Sequence, residues 1–406
     1  MPQRADVLDL AVARLAGRPM TDGAVFGLGR AALRTSAPGL LDVLALRATE
    51  GAMLAADVAH ALRATGRWPD AALRQTPAAL SLACQWAVGG EQIRDQPLAR
   101  LAFEDVLARA GRAAFVDAEW SAQLAVQLPW FAGDLDAVER LMGRLPLSKD
   151  QIGDLRIDLA NPYATHRPVS AESRAGWLRL FNERFRMAGL AEVTVDPGAE
   201  HPFDGLRAGT GPSVDGPLVS VIVPCYAPDE GLLNSIASMA AQSYGNMEIL
   251  IVDDASGPAY AGVFEAAAAL DPRARVITMP VNGGSYLGRN EALNSARGRY
   301  LTTQDSDDWS HPERIADQVR LLEDNPLAPA SRSDAIRALD DLSLQWLGSE
   351  SVRRNASSLM VRRSTVEAVG VFDTVRKGAD SEFHERIERR LGPTVDTSTP
   401  LAITRL

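Results

Sequence analysis

Cysteine and long apolar stretches are scarce in this sequence, and each absence narrows the class of protein. The two cysteines, Cys84 and Cys225, lie far apart in a chain of 406 residues, which excludes a disulfide framework and a four-cysteine zinc site. No apolar run approaches the roughly 20 residues that a membrane-spanning helix needs. Charged residues interrupt the apolar ones near the start, which is not the pattern of a signal peptide. We therefore expect a cytoplasmic protein; peripheral association with the inner face of a membrane is compatible with the same composition.

Basic residues are also fewer than acidic ones. Lys and Arg total 42 and Asp and Glu total 52, so the formal net charge is −10. Domains that bind nucleic acid usually carry a basic surface, and nucleic acid is therefore not an expected partner. The length exceeds one ordinary hydrophobic core and predicts two domains.

The first half of the chain, residues 1–200, is rich in Ala, Leu and Arg and poor in β-branched runs. Apolar residues recur with helical spacing, as from Val7 to Leu15 and from Leu101 to Leu107, which predicts an all-α domain. A small residue close before a glycine recurs ahead of Gly66, Gly111 and Gly133, but at irregular spacing. Two interpretations stay open: a generic helical domain, or a degenerate, tetratricopeptide-like repeat that offers a docking surface to a protein partner.

The segment 191–216 is dense in Gly, Pro, Asp and Ser, and we place a linker at 201–216. From residue 217 onward, short β-branched runs alternate with helical patterns; the first two runs are Leu218–Val223 and Glu248–Val252. This alternation predicts an α/β domain over 217–406 with a mainly parallel, Rossmann-like sheet.

Polar clusters follow three of the predicted strands. They are Pro224-Cys225-Tyr226, Asp253-Asp254-Ala255-Ser256 and Asp305-Ser306-Asp307-Asp308. Ligands of parallel sheets bind beyond the carboxyl ends of the strands. An Asp at a strand end is often only a turn former, but three acidic residues within four positions repel one another unless a cation relieves them. Carboxylates are the ligands that Mg²⁺ and Mn²⁺ prefer.

Four blocks in this half resemble the family-2 glycosyltransferases of the GT-A fold in order and spacing. They are VSVIVPCY, ILIVDDAS, NGGSYLGRNEALNSARGRYLTTQDSDDWSHPERI, and GVFD followed by GADSEFHER. The resemblance spans about residues 217 to 404 and does not extend to the helical half. It implies a GT-A domain that transfers a sugar from a nucleotide-diphosphate donor, most simply a UDP-sugar, to a hydroxyl of a glycan or other cell-surface acceptor.

The resemblance also implies residue roles on the donor side. Pro224 and Tyr226 would line the base pocket, and Asp253 would accept a hydrogen bond from the base with Asp254 beside it. The remaining implied donor contacts are Asn282, Gly283, Arg289, Asn290, Asp305 and Ser306.

For the chemistry, the resemblance implies Asp307 as the main ligand of Mn²⁺ or Mg²⁺, together with Asp305. Asp380 would be the general base, with Glu382 near the acceptor. A metal that neutralises the departing diphosphate leaves a single base to be supplied, which predicts in-line attack with inversion. In the alternative without a catalytic role, Asp380 and Glu382 lie on the solvent-facing polar side of a helix from Ala379 to Leu391.

Two departures from the family pattern bear on function. Ala227-Pro228 follows Tyr226 where the family usually carries a polar residue, and the sequence shows no further segment after Leu406 that could close over the donor. A catalytically weak or inactive relative, acting as a scaffold through its helical half, is therefore the alternative hypothesis. A nucleotidyltransferase ranks below both, because Cys225–Gly231 offers no Arg or Lys for a triphosphate.

Overall fold

The computed structural model describes residues 18–35, 37–165, 167–375 and 377–406. These residues form two compact units. The first ends at Leu159 and also takes in Gln345–Glu350, and the second comprises Ala160–Leu344 and Ser351–Leu406. The predicted helical pattern from Val7 to Leu15 lies outside the described residues.

The first unit is helical, as the sequence predicts. Its helices are α1 (Asp22–Thr35), α2 (Pro38–Ala48), α3 (Ala55–Thr65), α4 (Asp70–Arg74), α5 (Thr76–Val88), α6 (Gln96–Ala110), α7 (Glu119–Phe131), α8 (Leu135–Met142) and α9 (Lys149–Ala160). The three glycines that follow a small residue, Gly66, Gly111 and Gly133, all have positive φ, at 67°, 74° and 72°. Each lies just after the end of a helix, where glycine adopts this conformation most easily. Whether the unit is a degenerate repeat stays a prediction.

A short stretch from far along the chain completes this unit. Gln127 of α7 donates to the Trp346 carbonyl at 3.1 Å and accepts from the Gly348 amide at 2.7 Å. Trp120 donates to the Gly348 carbonyl at 2.8 Å, and Gln345 donates to Asp158 at 2.8 Å. Residues 345–350 therefore belong to the helical unit by their hydrogen bonds, although the sequence places them within the α/β half.

The second unit begins earlier than the predicted boundary at residue 200. Helices α10 (Ala171–Phe181) and α11 (Glu183–Met187) belong to it. The predicted linker 201–216 contains strand β2 (Leu206–Ala208), which pairs antiparallel with β1 (Val193–Val195). Phe203, also inside this stretch, is fully buried. The Gly and Pro content reflects tight turns of an ordered hairpin.

The main sheet has nine strands in the order β5-β4-β3-β6-β10-β8-β11-β7, with β9 beside β8. Their bounds are β3 (Val219–Cys225), β4 (Met247–Asp253), β5 (Ala274–Thr278), β6 (Tyr300–Thr303), β7 (Trp309–Ser310), β8 (Ala330–Ala338), β9 (Val352–Arg354), β10 (Met360–Arg362) and β11 (Val395–Arg405). The first four strands in that order are parallel, as predicted. Beyond β6 the sheet is mixed, because β10 runs antiparallel to both β6 and β8.

Helices cover both faces of this sheet. They are α12 (Gly231–Ala240), α13 (Ala261–Ala269), α14 (Ser285–Ser295), α15 (Arg314–Asp324), α16 (Arg363–Val369) and α17 (Ala379–Leu391). Strands β3 and β4 are buried along their whole length, which explains their continuous β-branched sequences. The α/β class is therefore confirmed. None of the described helices is long and apolar enough to cross a membrane.

Candidate active site

The carboxyl ends of β3, β4 and β6 meet at one edge of the parallel half-sheet. Cys225 pairs in register with Asp253, and the chain leaves β6 at Thr303 and reaches Asp305 two residues later. Parallel pairing thus brings together the three polar clusters that the sequence singles out. Helix α14 lies against β3 and β4 and adds its own side chains to this edge.

Asp254 is tied to the loop before α14. Its two carboxylate oxygens accept from the Gly283 and Gly284 amides, each at 2.7 Å. The Asn282 side chain donates to the Asp254 carbonyl at 3.2 Å. The structure therefore uses Asp254, Asn282 and Gly283 to shape the loop. Their predicted contact with the donor stays a prediction.

Asp253 borders a cavity on the β5 side of β4. The cavity is lined largely by small and apolar side chains, among them Ala255, Phe264 and Val276. The Asp253 carboxylate is mostly buried and accepts from the Ser256 amide at 2.8 Å. Pro224 is buried at the end of β3, whereas Tyr226 is 61% exposed. Tyr226 therefore has its ring free for a flat ligand.

The cluster 305–308 contains carboxylates in three different situations. Asp305 accepts from Arg289 at 2.9 Å and from the Ser357 hydroxyl. Asp307 as a whole residue is exposed. Its carboxyl is nevertheless surrounded by protein atoms, and this burial, followed by the Asp305 charge, raises its pKa. Asp308 is buried and accepts from the Arg405 amide at 2.9 Å. Burial, then Asp305 and Asp307, hold the pKa of Asp308 well above its usual range.

Ser306 lies close enough to the Cys225 thiol, at the end of β3, to influence its pKa. Burial raises the pKa of Cys225 to about 11, so the thiol stays protonated and is a packing group rather than a nucleophile. The position of Ser306 beside the strand end is compatible with its predicted donor contact, which stays a prediction.

Arg289 lies between the acidic cluster and two aromatic rings. Its guanidinium carbon is 5.3 Å from the centre of the Tyr286 ring and 5.7 Å from that of Phe372. Its side chain is only 8% exposed. Its Nε–H is buried and has no hydrogen-bond partner within the described residues. A buried cation with one spare donor is suited to an anionic ligand.

Asn290 binds the backbone of Phe372, and its predicted donor contact stays a prediction. Its amide donates to the Phe372 carbonyl at 2.8 Å and accepts from the Phe372 amide at 3.0 Å. This two-point contact fixes the segment that leads into α17. The structure thus gives Asn290 a supporting task, because both ends of its amide are engaged.

Asp380 and Glu382 share the first turn of α17 but differ in their partners. Asp380 accepts from the Tyr286 hydroxyl at 3.0 Å and borders a mainly apolar cavity together with Arg289. Glu382 accepts from Arg386 at 2.8 and 2.7 Å. Those hydrogen bonds lower the pKa of Glu382. Asp380 therefore has a second oxygen available for chemistry, whereas Glu382 forms an ion pair within its helix.

Several residues of this site carry no sequence signal of their own. Tyr286, Ser357 and Phe372 contact the predicted residues only through the fold. Of these, Tyr286 and Phe372 lie inside the blocks that resemble the family, so their blocks could have flagged them; Ser357 lies outside every block. His384, one turn after Asp380, is 3.0 Å from Thr394 and 3.2 Å from Glu388, away from the cluster.

The described residues contain no cluster of three or more His, Cys, Asp or Glu side chains arranged to hold a metal. Mg²⁺, however, is commonly held by one or two carboxylates together with substrate phosphates. Asp305 and Asp307 supply two such groups; burial first, and then the Asp305 charge, raise the pKa of Asp307, and a cation would offset the second of these. This donor set fits a divalent cation that is completed by the substrate.

Comparison with known proteins agrees with this geometry. Residues 220–345 match the model of glycosyl transferase family 2. The chain is 39% identical over 122 residues to the uncharacterized protein y4gI of Sinorhizobium fredii, covering 30% of this chain and 13% of that protein. It is 30% identical over 128 residues to the putative teichuronic acid biosynthesis glycosyltransferase TuaG of Bacillus subtilis, covering 32% of this chain and 51% of TuaG. It thus spans about half of TuaG and much less of y4gI.

Among solved structures, TarS 1-349 of S. aureus in complex with UDP-GlcNAc has 17% sequence identity and a TM-score of 0.40, over 46% of this chain and 58% of that one.

An α/β sheet that gathers carboxylates and an arginine at its carboxyl edge has them where such sheets bind their ligands. Residues 220–345 match glycosyl transferase family 2 and are similar to the corresponding part of TuaG. The predicted resemblance to this family is therefore confirmed over that segment, and these matches support the predicted glycosyltransferase class.

Proposed function

We propose that the α/β unit is a metal-dependent, inverting glycosyltransferase that moves a sugar from a nucleotide-diphosphate donor to a hydroxyl acceptor. One observation carries the proposal. A continuous series of contacts runs from Asp305 to Arg289, from Arg289 to the Tyr286 ring, and from the Tyr286 hydroxyl to Asp380. This series connects the group that would face the departing diphosphate with the group that would receive the acceptor proton.

The donor side is supported by charge and shape. Asp253 and the exposed Tyr226 border the end of β3 and β4, where a base could stack and hydrogen-bond. Arg289 offers a buried cation with an unpaired Nε–H. An unpaired buried donor costs roughly 1–3 kcal/mol, and a diphosphate oxygen would remove that cost. Asp305 and Asp307 would hold Mn²⁺ or Mg²⁺.

When bound, the cation would act as a Lewis acid that stabilises negative charge on the departing diphosphate. The protein groups then have two remaining tasks. Arg289 orients the donor from one side, and Asp380 takes the proton from the attacking hydroxyl. A base on a different element from the diphosphate-binding groups supports attack from the opposite face and hence inversion at the anomeric carbon.

The acceptor class follows from the relatives. TuaG is named for teichuronic acid biosynthesis, which supports a growing polysaccharide or related cell-surface glycan as the acceptor here. Cytoplasmic placement, peripheral membrane association and a protein partner bound by the helical unit stay predictions.

The test is thermal unfolding of the full chain with UDP, GDP or TDP, each with and without Mn²⁺. We expect one nucleotide to raise Tm only when Mn²⁺ is present, because a ligand at 100 times its Kd stabilises the folded state by about 2.7 kcal/mol. Asp307→Ala should lose the Mn²⁺-dependent part of this increase. Asp324→Ala, a change at an exposed carboxylate that ends α15, is the matched control and should keep it.

The outcomes separate the two main hypotheses. If no nucleotide changes Tm, donor binding is refuted and the scaffold hypothesis is favoured. If Asp307→Ala leaves the Mn²⁺ dependence unchanged, the cation is held by other residues and the metal assignment is wrong.

A further inference from the structure

Tyr286 makes two contacts of different chemistry from one side chain. Its hydroxyl donates to Asp380 Oδ1 at 3.0 Å. Its ring carries the Arg289 guanidinium, whose central carbon is 5.3 Å from the ring centre. Tyr286 and Arg289 are three residues apart in the first turns of α14, so both side chains project from one face of that helix.

The hydroxyl is suited to the role of a donor. Burial first, and then the hydrogen bond to Asp380, raise the pKa of Tyr286. The phenol therefore keeps its proton at neutral pH, where it can donate to a carboxylate. This hydrogen bond engages one carboxylate oxygen of Asp380, Oδ1, and Asp380 also lines the neighbouring cavity.

A second aromatic ring, that of Phe372, packs beside Tyr286 and also lies within 5.7 Å of the Arg289 guanidinium carbon. Phe372 stacks on Tyr286 with ring centres 6.0 Å apart and an interplanar angle of 27°. The amide of Asn290 fixes the Phe372 backbone at both its N–H and its carbonyl. Phe372 also contacts Phe383 of α17, with ring centres 4.4 Å apart. The platform beneath Arg289 is therefore tied to the helix that carries Asp380.

We propose that Tyr286 is a positioning residue that serves both halves of the reaction. Its hydroxyl aims Asp380 at the acceptor, and its ring aims Arg289 at the diphosphate. This inference rests on the proposed function. In the reaction, a bond forms between the acceptor oxygen and the anomeric carbon while the bond from that carbon to the diphosphate breaks. The electron pair leaves with the diphosphate, and the hydroxyl proton passes to Asp380 Oδ2.

The two contacts can be removed one at a time. Tyr286→Phe deletes the hydroxyl and keeps the ring, whereas Tyr286→Leu deletes both. Tyr163→Phe is the matched control, because Tyr163 is a half-buried tyrosine of the same unit that packs edge-on against Trp177 at 5.7 Å, outside the site. The activity probe is nucleotide release from UDP-glucose, UDP-N-acetylglucosamine and GDP-mannose with Mn²⁺, with water as acceptor. The binding probe is the Kd of the corresponding nucleoside diphosphate with Mn²⁺.

We expect Tyr286→Phe to lower kcat about 10-fold, less than the 10²–10⁴ of a lost general base because Asp380 itself remains, with the nucleotide Kd unchanged. Tyr286→Leu should show the same loss in kcat and in addition weaken nucleotide binding about 5-fold, as expected for loss of a partly buried cation–π contact. Tyr163→Phe should match the wild type in both quantities.

A second measurement needs no donor. In a double-mutant cycle on Tm with Tyr286→Phe and Asp380→Ala, the two single losses should sum to more than the loss in the double variant, because both remove the same hydrogen bond.

Each result tests a different part of the proposal. Wild-type kcat in Tyr286→Phe, or strict additivity in the cycle, overturns the role of the hydroxyl. Equal nucleotide Kd in the Phe and Leu variants overturns the role of the ring. If the wild type neither binds a nucleotide nor releases one, the proposed function itself fails and this inference fails with it.

Discussion

The two ends of the parallel half-sheet use acidic residues in opposite ways. At the amino end, Glu248 and Asp271 each face an arginine, Arg297 at 3.0 Å and Arg273 at 2.6 Å. At the carboxyl end, Asp305, Asp307 and Asp308 crowd one another. Burial alone would raise the pKa of all these groups, but at the amino end the hydrogen bonds outweigh it and lower the pKa of Glu248 and of Asp271. At the carboxyl end, burial and mutual repulsion raise the pKa of Asp307 and of Asp308.

The amino end shows what a structural carboxylate requires. Glu248 accepts from the Ser220 hydroxyl and from the Arg297 amide, both at 2.7 Å. The neighbouring Gly298 approaches Ser220 so closely that an added Cβ would lie 2.5 Å from the Ser220 amide nitrogen, so only glycine fits there. A carboxylate with several donors of its own serves the fold. One that is repelled by its neighbours instead marks a place where a ligand can supply the missing positive charge.

The largest expected effect concerns the carboxyl end. Asp380→Asn should lower the rate of sugar transfer by about 10²–10⁴, the usual contribution of a general base, because the amide cannot accept the proton. Nucleotide binding with Mn²⁺ should stay unchanged, since the proposed role of Asp380 is on the acceptor side. The measurement is single-turnover release of nucleotide together with the nucleotide Kd.

The control for that experiment is Glu385→Gln, a change at an exposed carboxylate of the same helix that pairs with Arg389. It should transfer sugar at the wild-type rate. Full activity in Asp380→Asn would show that the base is another group.

An intermediate effect is expected at the amino end. Glu248→Gln should destabilise the fold by about 1–3 kcal/mol at neutral pH, because it removes a hydrogen-bonded buried charge and leaves Arg297 partly unpaired. The pKa of Glu248 is lowered from its ordinary value of 4.5, so its contribution is present above that value and is lost as the pH falls through the lowered folded value.

Denaturant unfolding of both proteins between about pH 3 and 8 tests this sign. The difference between wild type and Glu248→Gln should be largest near neutrality and should shrink in acid. A difference that grows as the pH falls would mean that Glu248 is repelled rather than stabilised, and the contrast between the two ends would be lost.

The smallest effect is expected for a carboxylate that is paired with an arginine within one helix. Glu382 has its own arginine, so Glu382→Gln should cost only about 0.3–0.5 kcal/mol of stability, the value of an exposed helical ion pair. Sugar transfer should stay within about twofold of the wild type, which is well inside one tenfold step of 1.4 kcal/mol. A large loss in kcat with normal Tm would return Glu382 to the acceptor role that the family resemblance implies.

Sequence patterns predict the strands and the blocks of this domain well, because buried β-branched runs and strand-end polar residues are local features. They do not predict partners. The predicted substrate contacts of Asp254, Asn290 and Glu382 stay predictions, but no local pattern indicates that Asp254 binds Gly283 or that Asn290 binds Phe372, 82 residues away. Such pairings depend on loops whose course no local pattern encodes. The contact between Tyr286 and Asp380, 94 residues apart, is equally invisible in the sequence.

The short stretch 345–350 makes the helical unit discontinuous along the gene. A fragment that stops at residue 159 or 200 would lack the Trp346 carbonyl and the Gly348 backbone that satisfy Gln127 and Trp120. The buried Gln127 amide and the partly buried Trp120 indole would lose these partners in such a fragment. A single continuous fragment therefore does not contain the whole helical unit. To move this unit to another protein, an engineer would have to transfer two separate pieces of coding sequence.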